Sequence, residues 1–146
     1  MKNAVVVDTS IAIKWVIEES DSAKALALLT DWSRAGKRLL APALLTYEIT
    51  NAIYQRVRKG ELTAEKAREA LAYVLFPELE LDFSEFASLS KEAMELAIQY
   101  NLPAAYDPHY LALALREDCE YWTADTRLLT AIKGKLPWVH TLDEVP

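Results

Sequence analysis

A single cysteine, Cys119, stands among the 146 residues, so the chain has no internal disulfide and no CxxC metal site. Histidine is almost as scarce, with only His109 and His140, too few to combine with one thiol into a structural zinc centre. Apolar runs are short, far below the roughly 20 residues a membrane-spanning helix needs. The run Ala4–Val7 is interrupted at once by Asp8, leaving no secretory h-region. The expectation is a cytoplasmic protein with no membrane association. Positive charge is also in deficit: 16 Lys and Arg face 22 Asp and Glu, a net −6. A general nucleic-acid coat protein would be basic, so that class is excluded. A nuclease is not, because clustered carboxylates add negative charge that bound cations would offset. No linker, low-complexity tract or internal repeat interrupts the sequence. Its length suits one domain, 1–146, able to bury a core without staples.

What is present alternates between two periods. Residues 4–7 (AVVV) form a β-branched run typical of a strand buried on both faces. Residues 11–17 read as helical, and a polar break at 18–22 follows. Ser22 is the expected N-cap of a helix reaching Ala35, closed by Gly36 at C′. A strand is predicted at 38–41, and Pro42 is placed to start a helix to about Lys59, stopped by Gly60. Thr63 caps the next helix, through about Leu75, with Pro77 ending it. Residues 79–83 alternate as a half-exposed strand. Helices are predicted from about Ser90 to Tyr100 and from Asp107-Pro108 to about Glu117. A strand at 120–123, a helix from Asp125 to Lys133 ended by Gly134, and a last strand at 139–142 complete the pattern. Alternating strands and helices imply parallel βαβ units with helices on both faces of the sheet.

Four acids sit at the edges of apolar segments: Asp8, Glu48, Asp107 and Asp125. Ligands of open α/β sheets bind beyond the carboxyl ends of the strands. Asp8 ends the first strand, Asp125 follows the fourth, and Asp107 opens a helix beside that edge. Each of these three reads equally well alone as a helix N-cap. Glu48 has no such ordinary reading, because it lies among Leu44, Leu45, Ile49 and Ile53, where an unpaired carboxylate is costly. Gathered together, the four would repel one another. A hard divalent cation, Mg²⁺ or Mn²⁺, would resolve this and supply metal-dependent hydrolysis of a phosphodiester. Thr9, Ser10, Asn51 and Thr123 have the chemistry to orient those carboxylates.

The matching segments are Val6-Val7-Asp8-Thr9-Ser10, Tyr47-Glu48-Ile49-Thr50-Asn51-Ala52, Tyr106-Asp107-Pro108-His109-Tyr110-Leu111-Ala112-Leu113-Ala114 and Thr123-Ala124-Asp125-Thr126-Arg127-Leu128. In this order they resemble a PIN domain, and within that family a VapC-type toxin. The resemblance spans essentially the whole chain. It implies a three-layer α/β/α sandwich around a mainly parallel, Rossmann-like sheet of about five strands. It also implies Mg²⁺- or Mn²⁺-dependent endoribonuclease activity on RNA, a small inhibitory antitoxin and a homodimer. Asp8, Glu48, Asp107 and Asp125 carry over as the catalytic and metal-binding quartet, with Asp8 and Asp107 as direct ligands. Ser10, Asn51 and Thr123 carry over as supporting residues.

Lys14 and Arg127 are the cations placed to meet substrate phosphates. Arg58 and Lys59 read as a solvated helix face, and Arg56 shares their helix. Trp15, Trp32, Trp122 and Trp138 lie in apolar contexts that favour packing over base stacking. His109 reads as a surface residue of a first helical turn, and His140 as structural. The helices at 43–59 and 62–76 carry apolar residues beyond one stripe, among them Tyr54 and Tyr73, as a dimer or antitoxin contact would require.

Three other assignments fit less well. A haloacid-dehalogenase-like phosphatase would need an acid two residues after Asp8, where Ser10 stands. A receiver-like, metal-binding signalling domain would need an acceptor acid ending the third strand, where only Asp82 is available, and an acidic pair near Asp8. A PIN nuclease of RNA processing keeps the same site but a different role.

Overall fold

The computed structural model describes residues 1–75, 78–132 and 134–146. Five strands, β1 (Ala4–Val7), β2 (Arg38–Pro42), β3 (Leu79–Asp82), β4 (Glu120–Trp122) and β5 (Val139–His140), form one sheet in the order β3-β2-β1-β4-β5. Every neighbouring pair is parallel. The helices are α1 (Thr9–Ala12), α2 (Ser22–Arg34), α3 (Leu44–Arg58), α4 (Ala64–Val74), α5 (Ser90–Gln99), α6 (Pro108–Arg116) and α7 (Thr126–Ile132). This is a three-layer α/β/α sandwich of the Rossmann-like kind.

Strand β1 is central and buried on both faces. Successive side chains of a strand point to opposite sides, so Ala4 and Val6 join the core that α3, α5 and α6 cover. Val5 and Val7 meet Ala25, Leu28 and Trp32 of α2 on the other face. The run Tyr110–Ala114 of α6 is buried throughout, and enclosing a side chain such as Leu111 is worth about 2 kcal/mol. The chain winds outward from β1 through β2 to β3, then returns to lay β4 on the other side of β1. The switch in direction falls between β1 and β4, whose carboxyl ends are aligned by the pair Val7 and Trp122. That crevice is where such sheets bind ligands.

Local expectations hold at several ends and fail at others. Gly36 adopts φ +63 just past α2. Its N–H bonds to Ser33 O and that of Lys37 to Trp32 O, closing the helix with a Schellman motif. Thr63 caps α4 by accepting from Lys66 N at 3.2 Å. Ser22 does not cap α2. It is the first helical residue, and its hydroxyl accepts from Glu19 N and donates to Ile17 O. Asp21 precedes it in a left-handed conformation, φ 64. Pro42 ends β2 rather than opening α3, and the free N–H of Leu44 is satisfied by the Glu85 carboxylate at 3.1 Å. A π-helical turn at Glu85–Leu89 leads into α5. Pro77 and Lys133, the expected ends of two helices, lie outside the described residues.

Candidate metal and active site

The carboxyl ends of β1 and β4 and the flanking helices enclose a cleft of about 290 Å³ lined by Asp8, Thr9, Ser10, Glu48, Asp107 and Asp125, with Ile13 and Ala52 at its side. All four acids singled out in the sequence therefore meet at one place. Each arrives differently. Asp8 follows β1 directly, Glu48 projects from α3, Asp107 precedes Pro108 at the start of α6, and Asp125 leads into α7.

Asp8 is the most constrained, being only 4% exposed. Its Oδ1 accepts from the Ser10 hydroxyl at 2.5 Å and from Ile11 N at 3.3 Å. Its Oδ2 accepts from the Tyr121 hydroxyl at 2.6 Å and from the Thr123 hydroxyl. Burial raises the Asp8 carboxyl above its ordinary pKa, and these hydrogen bonds only partly offset it. Ser10 and Thr123 are fixed in turn, accepting from Ala124 N at 2.7 Å and Asp125 N at 3.0 Å. Both thus stand where a role in orienting Asp8 requires.

Asp125 does cap α7, accepting on Oδ1 from Arg127 N at 2.8 Å and Leu128 N at 3.3 Å. Asp107 does not cap α6: no side-chain capping bond forms there. Its carboxyl is pushed up to about 6, first by burial and then by the negative charges of Asp125, Asp8 and Glu48. Glu48 is half-buried and is also raised. Burial is the main cause, opposed by a hydrogen bond from Tyr110 and reinforced by Asp8 and Asp125.

Two residues of this arrangement escape sequence reasoning. Tyr110 and Tyr121 are fully buried and form an offset parallel stack, with centroids 5.9 Å apart and planes inclined by 7°. Tyr110 donates to Glu48 Oε1 at 2.5 Å, and Tyr121 donates to Asp8 Oδ2. In sequence each is one apolar-looking member of a core segment. The only signal is position, with Tyr110 three residues after Asp107 and Tyr121 on the same strand face as Thr123. Burial, followed by the nearby carboxylates, raises both phenols, so they act as neutral donors.

Other sequence candidates lie aside. Asn51 is exposed on α3, and its Oδ1 accepts from Gln55 at 3.3 Å rather than touching Glu48. Lys14 is bound to Glu19 at 3.0 Å and to Ser20 O at 3.1 Å. Arg56 also grips Glu19 and reaches Glu61 at 3.2 Å. Arg127 is exposed on the first turn of α7 beside Asp125. His109 bonds Ser90 at 3.1 Å and Ala105 O at 2.7 Å, tying the loop before Asp107 to α5. His140 pairs with Glu144 at 2.9 Å and stacks on Trp122. Trp122 in turn meets the edge of Trp32, and the Trp15 indole donates to Ala25 O. Asp82 ends β3, but β3 is an edge strand and Asp82 is paired with Arg116 at 2.6 Å, unlike a receiver's acceptor.

The donor set suits a hard divalent cation. It is all oxygen, Asp107 and Glu48 are raised by burial and then by neighbouring negative charge, and the buried Thr9 Oγ1 lining the cleft has no hydrogen-bond partner among the described residues. No three acidic, histidine or cysteine side chains among the described residues converge as a ready-made ligand group. Mg²⁺ needs no such closed cage, since it keeps several waters and takes one or two carboxylates directly.

The chain shares its fold with VapC20 of Mycobacterium tuberculosis, a toxin that cleaves the sarcin-ricin loop. The match has a TM-score of 0.67 and 16% identity over 88% of this chain and 95% of that one. PAE2754 from Pyrobaculum aerophilum gives 0.68 and 21% identity, covering 96% and 91%. FitAcB from Neisseria gonorrhoeae gives 0.59 and 14%, covering 94% and 95%. A search of the curated proteins finds no match. These likenesses speak to the fold; the sequence itself is matched by the PIN-domain family model across residues 5–135. The chain belongs to the PIN-domain family.

Proposed function

We propose that this protein is a Mg²⁺- or Mn²⁺-dependent endoribonuclease, a single PIN domain over residues 1–146, acting as the toxin of a toxin–antitoxin pair. One observation carries the reading: Asp8, Glu48, Asp107 and Asp125 line one cleft at the switch point of a PIN-family sheet. Asp8 and Asp107 would hold the cation directly, with Glu48 and Asp125 beside them, and it would supply Lewis acidity toward the scissile phosphate and an activated water. Ser10 and Thr123 keep Asp8 in one orientation, so the acid need not reorganise during the reaction. Glu48 and Asp107 bring in charge that only a cation or proton offsets. Arg127, exposed beside Asp125, is free to meet an RNA phosphate, whereas Lys14 must first leave Glu19.

A groove of about 570 Å³ lined by Trp15, Val16, Leu29, Leu62, Ala70 and Tyr73 offers apolar surface for an antitoxin contact. Exposed Tyr47 and Tyr54 on α3 offer apolar surface for a homodimer. No helix among the described residues is long and apolar enough to cross a membrane.

The test is cleavage of structured and single-stranded RNA by purified protein. Activity is expected with Mg²⁺ or Mn²⁺, and none in excess EDTA or in Asp8→Asn and Asp107→Asn. Cleavage that persists in EDTA, or in both variants, sinks the mechanism. A short reading frame upstream, encoding a DNA-binding antitoxin, would bear out the toxin role. Without it, RNA maturation becomes the better assignment.

A further inference from the structure

The stacked tyrosines occupy one oxygen on each of two carboxylates, and the distribution of the remaining lone pairs is uneven. A carboxylate offers about four acceptor sites. On Asp8, Oδ2 is filled by two hydroxyls, those of Tyr121 and Thr123. Oδ1 holds the Ser10 hydroxyl and a longer contact from Ile11 N, an N–H that also bonds Asp8's own carbonyl at 3.2 Å. That contact is therefore dispensable, and Oδ1 is the oxygen with a site to give. On Glu48, Tyr110 takes Oε1, and Oε2 has no hydrogen bond among the described residues.

We propose that Tyr110 and Tyr121 are positioning residues that select the cation by forcing Asp8 and Glu48 to present one oxygen each. Ca²⁺ takes six to eight oxygens and accepts bidentate carboxylates in flexible geometry, whereas Mg²⁺ demands a compact octahedron at shorter distance. A carboxylate with one oxygen locked by a buried phenol cannot swing to bidentate contact without leaving that phenol unpaired in the core. The two rings lie parallel with centroids 5.9 Å apart, so the two phenols are set side by side. The pair thereby disfavours Ca²⁺ while leaving Asp107, which accepts no capping bond, free to meet the smaller ion. This inference rests on the metal-dependent reading above.

Its test is cation binding by calorimetry, independent of cleavage, on wild type, Tyr121→Phe, Tyr110→Phe and the double variant, each with Mn²⁺ and Ca²⁺. Phenylalanine retains the ring and the stack, so a thermal melt in EDTA verifies the fold. Wild type is expected to prefer Mn²⁺. Each variant is expected to narrow that preference about tenfold, the lower end of the effect of outer partners on metal affinity, and the double variant more. If the Mn²⁺ to Ca²⁺ ratio stays at the wild-type value in folded variants, the tyrosines are ordinary buried donors and the inference fails alone. If wild type binds neither ion, the metal-dependent reading falls and takes this with it. Tyr110→Phe provides an independent arm should Tyr121→Phe not fold.

Discussion

Two aspartates end neighbouring parts of the same sheet edge and meet opposite fates. Asp82, the last residue of β3, receives the Ser84 hydroxyl at 2.7 Å and the Arg116 guanidinium at 2.6 Å. Burial alone would raise its carboxyl, but those two partners and the arginine's charge pull it below the ordinary range. Asp8, the residue after β1, and Asp107 beside it have no cationic side chain in contact among the described residues. Both are raised. The chain possesses the means to neutralise an acid at this edge and uses it at Asp82. At the cleft it supplies hydroxyls, which orient a carboxylate without cancelling its charge. The acid on the edge strand gets an arginine, and Asp8 in the cleft gets neutral donors.

The strongest way to break this contrast is a pair of isosteric changes. Asp107→Asn should lower RNA cleavage on the order of a thousandfold, the several kcal/mol a metal contributes to charge stabilisation. Asp82→Asn should leave kcat/KM within about twofold, since it touches nothing in the cleft. Equal losses in a steady-state assay would erase the distinction.

The same pair should separate in stability, with opposite signs. In EDTA, Asp107→Asn removes a repelled charge and is expected to raise Tm by a few degrees. Asp82→Asn leaves Arg116 short of a partner and should lower Tm by roughly 2–4 °C. A fall in both melts would show that Asp107 is held by an interaction absent from this account.

A third prediction concerns pH. The Asp107 carboxyl titrates near 6 in the folded protein against an ordinary value of 3.8, so the folded state binds more protons between these limits. Its contribution to stability is complete below about pH 4 and is lost as pH rises through 6. Metal-free Tm should decline across that window, less steeply in Asp107→Asn. The stabilisation given by Mn²⁺ should grow over the same range, because the ion competes with protons. A metal-free melt that rises from pH 4 to 6 would contradict the assignment.

The smallest effect belongs to Arg38 and Glu80, paired at 2.6 Å but about half exposed. Arg38→Gln should shift Tm by less than about 1 °C, as exposed pairs do.

The acids were legible in sequence because each stands against an apolar background, which makes a charge conspicuous. Strand positions were legible for the same reason in reverse, through β-branched runs such as Val5–Val7. What the sequence hid is polar chemistry carried by residues that also pack. Tyr110 and Tyr121 look like core because their rings are core, and only the phenol oxygens do otherwise. Caps are only partly legible in sequence, because Asp, Ser and Thr at a helix start satisfy the same local pattern whatever their tertiary partners. Asp125 caps, Asp107 does not, and Ser22 serves Glu19 and Ile17. Lys14 and Asn51 shared segments with site residues, yet Glu19 and Gln55 claim them, and those contacts depend on rotamers no spacing encodes.

The adjacency of β1 and β4 has a temporal consequence. Asp8 and the Thr123 hydroxyl that fixes it are 115 residues apart in the chain. At 5–20 residues per second, translation takes roughly 6–23 s to cover that distance. Glu48 follows Asp8 by 40 residues, and the emerging chain lacks Tyr121, Thr123 and Asp125 until the interval closes, so its cleft has only one wall until then. Asp8 is thus held in its final orientation only once the strand leading to Tyr121 and the Thr123 hydroxyl has joined β1, so the two walls of the cleft are made at different times.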